Sequence, residues 1–161
     1  GTFAVQMAKA AGAHVTAVDA AHKLDVLRAL GADRVVDFAR EDIARDGSTY
    51  DLIVEIVATR SVADYRRMLA PGGECGLLGG DVGRIVRLMA TGPLISAFGG
   101  KRITVPIWRP NDPDDVAHLV SLVDDGSVVP VVDRVVDLAD VPDAFAEFAA
   151  QRHRGKIAVR L

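Results

Sequence analysis

The chain has a single cysteine, Cys75, among its 161 residues, so it holds no internal disulfide framework, and a lone thiol is compatible with a reducing compartment. It has no excess of positive charge. Nineteen Lys and Arg against 22 Asp and Glu give a formal net charge of -3, which leaves no basic footprint for nucleic acid. No apolar run approaches the ~18 residues that a membrane span needs, and no signal peptide is visible, so neither nucleic acid nor membrane is an expected partner. The four histidines, His14, His22, His118 and His153, fall on separate elements and share no metal-ligand spacing with one another or with Cys75. Gly99-Gly100-Lys101-Arg102 lacks the distant first glycine and the Ser or Thr after lysine of a phosphate loop. No Ser–His–Asp set and no pair of carboxylates assembles, and there is no internal repeat, low-complexity tract or long linker. What remains is half apolar and a quarter charged, the composition of a globular chain with one good-sized core and room for a small appendage.

The organising stretch is the first one, Gly1 to Asp19, reading GTFAVQMAKAAGAHVTAVD. A glycine opens a helix in which Ala4, Ala8 and Ala11 recur at i, i+4 and i+7. Gly12 stops it, and Val15, Ala17 and Val18 read as a short buried strand ending in Asp19. Helix, tight turn, strand and acid make the second half of a dinucleotide-binding βαβ unit, in which the helix N-terminus holds a pyrophosphate and the acid a ribose. Gly1 can only be the last glycine of a GxGxxG motif, whose earlier glycines and first strand would lie before residue 1. The competing reading is plain: helix then strand occurs in every α/β fold, and Asp after a strand is commonly a turn residue.

Helix and strand patterns then alternate. Leu24, Leu27 and Leu30 stripe a helix that ends at Gly31, and Val35 and Val36 make a short strand. Tyr50 to Val57 (YDLIVEIV) is nearly continuous apolar β sequence, as in a strand covered on both faces. Ser61 and Asp64 stand at capping-box spacing before a helix with Val62, Tyr65 and Leu69 on one face. Pro71-Gly72-Gly73 ends that helix, and Glu74 to Leu78 reads as the next strand, closed by Gly79-Gly80. An apolar helix, Ile85 to Met89, is interrupted by Gly92-Pro93. Ile103, Val105 and Ile107 alternate as a strand, and Pro106 within it argues for a sheet edge or for the strand's end. Such alternation predicts an α/β fold with a parallel, doubly wound sheet. Past Pro110-Asn111-Asp112-Pro113 the character changes. Asp112 with Pro113 starts a helix whose buried face is Val116, Leu119, Val120 and Val123. Val128 to Val136 is β-branched, Asp140 starts a helix with Val141, Phe145 and Phe148 inward, and Ile157 to Val159 is a last strand. This α+β tail is either a subdomain or a piece of a domain whose remainder is absent.

GTFAVQMAKAAGAHVTAV, LRALGADRVVDF, YDLIVEIVATRSVADYRRMLAPGGECGLLGG and the closing VVPVVDRVVDLADVPDAF…RGKIAVRL follow one another in an order that resembles the C-terminal half of the medium-chain dehydrogenase/reductase superfamily, close to its zinc-type alcohol dehydrogenase and quinone oxidoreductase branches. The likeness runs from residue 1 to residue 161; no single motif in it is diagnostic, and the ordered set is specific. It implies that residues 1–110 are an NAD(P)-binding Rossmann domain, truncated at its N-terminus and lacking its first strand. Residues 111–161 would then be a segment returning to an absent catalytic domain.

The resemblance implies a role for particular residues. Gly1, Thr2 and Phe3 match the helix start under the pyrophosphate, where unpaired N–H groups and the helix dipole favour an anion; an ordinary helix N-terminus is the alternative. Asp19 matches the ribose-binding position, where a carboxylate accepts from both ribose hydroxyls and repels a 2′-phosphate; the alternative is a solvated turn acid. Lys23 could reach the same ribose or a phosphate, or be a solvated helix lysine. Val57 and Ala58 end one strand and Leu78, Gly79 and Gly80 the next, at the carboxyl ends where doubly wound sheets bind ligands. Glycines there let a flat ring approach the backbone, or are turn punctuation. Glu55, the one charge in its strand, is paired near the crevice or satisfied by a neighbouring helix.

By likeness, the parent function is hydride transfer between a nicotinamide cofactor and an alcohol, carbonyl, quinone or enone-type small-molecule substrate, with NAD expected over NADP because of Asp19. The alternative is a non-catalytic nucleotide-binding or interaction domain that kept the Rossmann fold. The proton-relay and zinc-binding residues of the zinc-dependent branch would lie in the missing part, so no catalytic residue is named and zinc in the parent is left open. The expected compartment is the cytoplasm. A homodimer of the intact protein, built along the edge at Ile103 to Ile107, is the expected assembly.

Overall fold

The computed structural model of the chain describes residues 1–81, 83, 100–106 and 111–161. The expected helix at Ile85 to Met89, its interruption at Gly92-Pro93, Gly99 and the strand position Ile107 lie outside the described residues. The chain divides into two compact units, residues 1–40 with 111–161 and residues 41–110.

In the first unit, helix α1 (Thr2–Ala10) leads to strand β1 (Thr16–Asp19), and helix α2 (Leu24–Ala29) to strand β2 (Arg34–Asp37). Both helices stop by the same device. The N–H groups of Gly12 and Ala13 donate back to Lys9 and Ala8, and those of Gly31 and Ala32 to Arg28 and Leu27. Gly12 (φ 78°) and Gly31 (φ 95°) supply the left-handed residue this pattern requires. β1 and β2 pair in parallel, Thr16 opposite Arg34 through Asp19 opposite Asp37. Val5, Ala17 and Leu27 form the core between these elements, with Val15, Leu24, Leu30, Ala32 and Val35 packed around it. Asp33 ties the turn together: its carboxylate accepts from the Lys9 ammonium at 2.8 Å and from the Val15 N–H at 2.7 Å, which holds its pKa down to about 2. Farther along the chain, α4 (Pro113–Asp124) is capped by the Asp112 side chain, as its sequence predicts. Strand β6 (Val132–Asp137), helix α5 (Val141–Ala149) and strand β7 (Lys156–Arg160) complete the unit, with β6 and β7 parallel.

In the second unit, β3 (Tyr50–Glu55), β4 (Leu69–Leu77) and β5 (Arg102–Thr104) form a parallel three-stranded sheet in that order, with α3 (Val62–Met68) between β3 and β4. A Rossmann sheet of order 3-2-1-4-5-6 without its first strand separates into a pair and a triplet. The pair β1–β2 and the triplet β3–β4–β5 are those two pieces, and every strand pairing is parallel. The reciprocal Ser61–Asp64 capping box forms. Tyr65, Met68, Leu69, Cys75 and Leu77 are buried, so Cys75 is a core residue.

Several expectations need correction. The strand after α3 begins at Leu69, directly after the helix, and not at Glu74. Pro71-Gly72-Gly73 falls where the register against β3 shifts, so the triplet makes an irregularity within a strand and does not terminate a helix. Leu69 accordingly belongs to the strand. YDLIVEIV is not covered on both faces: Leu52 is 64 % exposed, and Val54, Ile56 and Val57 are exposed with it. In β1, Val18 is exposed although Ala17 is buried. The apolar stripes of the tail are also open, Val116, Leu119, Val120 and Val123 on α4 and Phe145 (68 %) and Phe148 on α5. Periodicity marks which face is apolar; whether anything covers that face depends on a partner surface that periodicity does not contain.

Candidate functional site

Within the first unit, the open end of α1 is where charge gathers. Gly1 is its N-cap, no side chain caps the helix, and its first turn carries no acid, so the positive end of the helix dipole is uncovered. Asp19 ends β1 beside it. The Asp19 carboxylate accepts from the N–H of Ala20 at 2.8 Å, which fixes the side chain at the strand end, and the Lys23 ammonium lies 3.7 Å away. Lys23 is thus an ion-pair partner of Asp19 and not a solvated helix lysine. The sequence-derived set Gly1, Thr2, Phe3, Asp19 and Lys23 is brought together here.

Two residues not singled out from the sequence join them. The Lys156 ammonium, at the start of β7, sits over the Phe3 ring, 5.5 Å from its centroid. His153 stacks on Phe148 with ring centroids 4.6 Å apart, and its Nδ1 is buried without a hydrogen-bond partner among the described residues. Burial and the nearby charge of Lys23 push the His153 imidazole below its ordinary range, opposed by Asp133 and Asp19. The RGK sequence around Lys156 carries no local signature of a ligand site; its place follows from β7 lying beside β6.

Within the second unit, Val57, Ala58 and Leu78–Gly80, just past the ends of β3 and β4, come together. The N–H of Leu78 donates to the Glu55 carbonyl and that of Ala58 to the Gly79 carbonyl, both at 2.8 Å, and Ala58 bridges Gly80. A Cβ on Gly79 would stand 2.9 Å from the Ile56 carbonyl oxygen, and one on Gly80 (φ 141°) 2.9 Å from Ala58. Only glycine fits at either position. These backbones run closely side by side, with Val57 and Leu78 exposed. Just inside the rim, Glu55 accepts from the Tyr65 hydroxyl at 3.2 Å and from the backbone N–H of Val57. Burial nevertheless raises its carboxyl above the ordinary range. Of the two alternatives for Glu55, a neighbouring helix satisfies it.

The donor set of the first unit, an uncapped helix start with two lysines and an acid at a strand end, fits an anionic group joined to a sugar diol. Among the described residues no group of three or more His, Cys, Asp or Glu stands where a metal could be held.

Comparison with known proteins bears on both units. Residues 30–159 match the family described as zinc-binding dehydrogenase. Over 186 aligned residues the chain is 29 % identical to the mouse mitochondrial NAD(P)H oxidoreductase RTN4IP1, covering 100 % of this chain and 45 % of that protein. It is also 29 % identical over 163 residues to the chloroplast envelope quinone oxidoreductase homolog of Arabidopsis thaliana, covering 99 % of this chain and 48 % of the other. The quinone oxidoreductase structure from Coxiella burnetii superposes with a TM-score of 0.80 at 17 % identity, over 99 % of this chain and 48 % of that one, which shows a shared fold. The chain spans about half the length of the curated relatives it matches. With the parallel pair and triplet, it belongs to the zinc-binding dehydrogenase family and corresponds to the C-terminal half of the medium-chain dehydrogenase/reductase superfamily.

Proposed function

We propose that this chain is the dinucleotide-binding part of an NAD(P)-dependent oxidoreductase whose substrate is an alcohol, carbonyl, quinone or enone. The observation that carries this reading is the uncapped start of α1 with Asp19, Lys23 and Lys156 around it. When bound, the nicotinamide supplies or accepts the hydride. The N–H groups of the first turn of α1 hold the pyrophosphate, assisted by Lys156. Asp19 accepts from the adenosine ribose hydroxyls, and Lys23, 3.7 Å away, pairs with that carboxylate. Within the second unit the strand ends Val57–Ala58 and Leu78–Gly80, with the Gly79 position bare of side chain, offer a flat backbone shelf that a ring can approach. Residues 1–110 serve as the cofactor domain, and 111–161 as the segment that returns to the catalytic one. The names of the relatives, one an NAD(P)H oxidoreductase and one a quinone oxidoreductase homolog, support the class.

NAD is the preferred cofactor. A 2′-phosphate would set about two negative charges beside Asp19, each repelled by roughly 1 kcal/mol at ~4 Å even in bulk water. Titrating the intact protein with NADH and NADPH, by the fluorescence of the reduced nicotinamide, tests both statements. Tighter NADH binding is expected; no binding of either dinucleotide sinks the function, and tighter NADPH binding sinks the assignment of Asp19.

A further inference from the structure

The most telling side chain outside the site just described is Gln6, on α1 one turn beyond Thr2. It is a polar residue only 8 % exposed. Its Nε2 donates to the Val129 carbonyl at 3.0 Å and to the Thr2 carbonyl at 3.1 Å, and its Oε1 accepts from the Val129 N–H at 2.8 Å. One amide thereby satisfies both backbone groups of Val129, as a neighbouring strand would. The residues beyond Val129 lead back to the start of α1. The Val131 carbonyl accepts from the Lys156 N–H at 2.7 Å. Gly155 lies so close that a Cβ there would clash with the Val131 carbonyl oxygen, so little play separates the two segments. Lys156 then extends over Phe3, in the first turn of the helix that carries Gln6. The path is a closed loop: α1, Gln6, Val129, Val131, Lys156, α1.

We infer that Gln6 is a positioning residue, which clamps the 129–131 segment to α1 and so holds the Lys156 ammonium over the helix start where the dinucleotide's pyrophosphate is placed. The inference rests on the proposed function for its ligand, while the clamp itself is a feature of the backbone. Leucine at this position keeps most of the volume and loses all three bonds. Glutamate keeps the acceptor for the Val129 N–H but sets a carboxylate against the Val129 carbonyl.

The test is a double-mutant cycle on NADH affinity in the intact protein, with Gln6→Leu, Lys156→Met and both together. Gln6→Leu is expected to weaken NADH about tenfold, Gln6→Glu by a similar or smaller factor, and Gln6→Leu to add little once Lys156→Met is present. Additive losses overturn the inference, because a merely structural glutamine weakens binding whether or not Lys156 is there. Wild-type affinity in both Gln6 variants overturns it too. If the unmutated protein binds no dinucleotide, the proposed function fails separately, and hydrogen exchange decides the clamp. Gln6→Leu should speed exchange of the Val129 and Lys156 amides about tenfold while Val36 in β2 is unchanged, and unaltered exchange at all three overturns the clamp.

Discussion

Removing one oxygen, by Tyr65→Phe, should expose how the rim of the second unit is held. Tyr65 is fully buried, and its ring fills the space under α3, so phenylalanine keeps the packing. The hydroxyl donates to Glu55 at 3.2 Å and accepts from the Arg60 N–H at 3.4 Å. Hydrogen bonds to charged groups are worth roughly 1.5–3 kcal/mol, neutral ones about 0.5–1.5. Both bonds here are long, and Glu55 is partly open to screening water, so the lower part of that range applies, roughly 1.5–2 kcal/mol at neutral pH. For a chain of this size that is a fall in Tm of ~3–8 °C. The effect has a pH signature. Burial raises the Glu55 pKa above its unfolded value, so the native chain binds more protons across that interval. Stability from this group is therefore complete below the ordinary carboxylate range and is lost as pH rises through the folded value. The Tyr65 hydroxyl favours the ionised form, and deleting it raises the folded pKa further. The cost of Tyr65→Phe should thus shrink as pH falls from 7 to 4.5, and should be smaller and flat with pH in a Glu55→Gln background, where the amide cannot ionise. Urea unfolding of the four proteins at both pH values measures it. A pH-independent cost, or one under ~0.5 kcal/mol, would refute the coupling of Tyr65 to the Glu55 charge.

Asp19→Ser should relax the preference for NADH over NADPH, chiefly by improving NADPH binding; an unchanged Kd ratio places the discriminating charge elsewhere. Gly79→Ala puts a Cβ 2.9 Å from the Ile56 carbonyl and should cost ~1–3 kcal/mol of stability, with weakened NADH binding, read by urea unfolding and titration. The 161-residue chain alone should show no dehydrogenase turnover with NADH or NADPH against aldehydes and quinones, since hydride transfer needs the substrate held against the nicotinamide, a task that falls to the catalytic domain to which residues 111–161 are proposed to return. Turnover comparable to that of the intact protein refutes this. In sedimentation velocity the intact protein should run as a homodimer joined along the edge at β5, which ends two residues before Pro106; monomer alone across micromolar concentrations counts against it.

The stops of α1 and α2 and the starts of α3 and α4 were legible because their causes are local. Gly12 and Gly31 end α1 and α2 by backbone bonds spanning a few residues, and the capping box at Ser61 and the side-chain cap at Asp112 are set by neighbours three and two positions away. The place of Cys75 in the core has an equally local cause: a small apolar residue within a strand has few other uses. The misreadings share one cause. Phe145 and Leu52 obey the period of buried faces, yet they are open, since a period describes the element and not its surroundings. Pro71-Gly72-Gly73 carries turn chemistry that serves equally to end an element or to shift a register, and only the pairing of Tyr50 with Leu69 and of Leu52 with Glu74 distinguishes them.

At the candidate site the dividing line is sequence separation. Asp19 and Lys23 are four residues apart and could be suspected of meeting; Gly79 and Gly80 announce a close approach of backbone by their type. Gln6 and Val129 are 123 residues apart, and nothing in either residue names the other. A buried glutamine near the start of an alanine-rich helix is nonetheless a physical signal, because both ends of its amide must find partners in a part of the chain that excludes water. In α1 those partners are the two backbone groups of one distant residue, so the polar atom that the helix period would assign to solvent is what fastens the C-terminal segment to the proposed cofactor helix. Lys156 follows from that attachment: it reaches Phe3 because Val131, two residues past the clamp, holds its N–H.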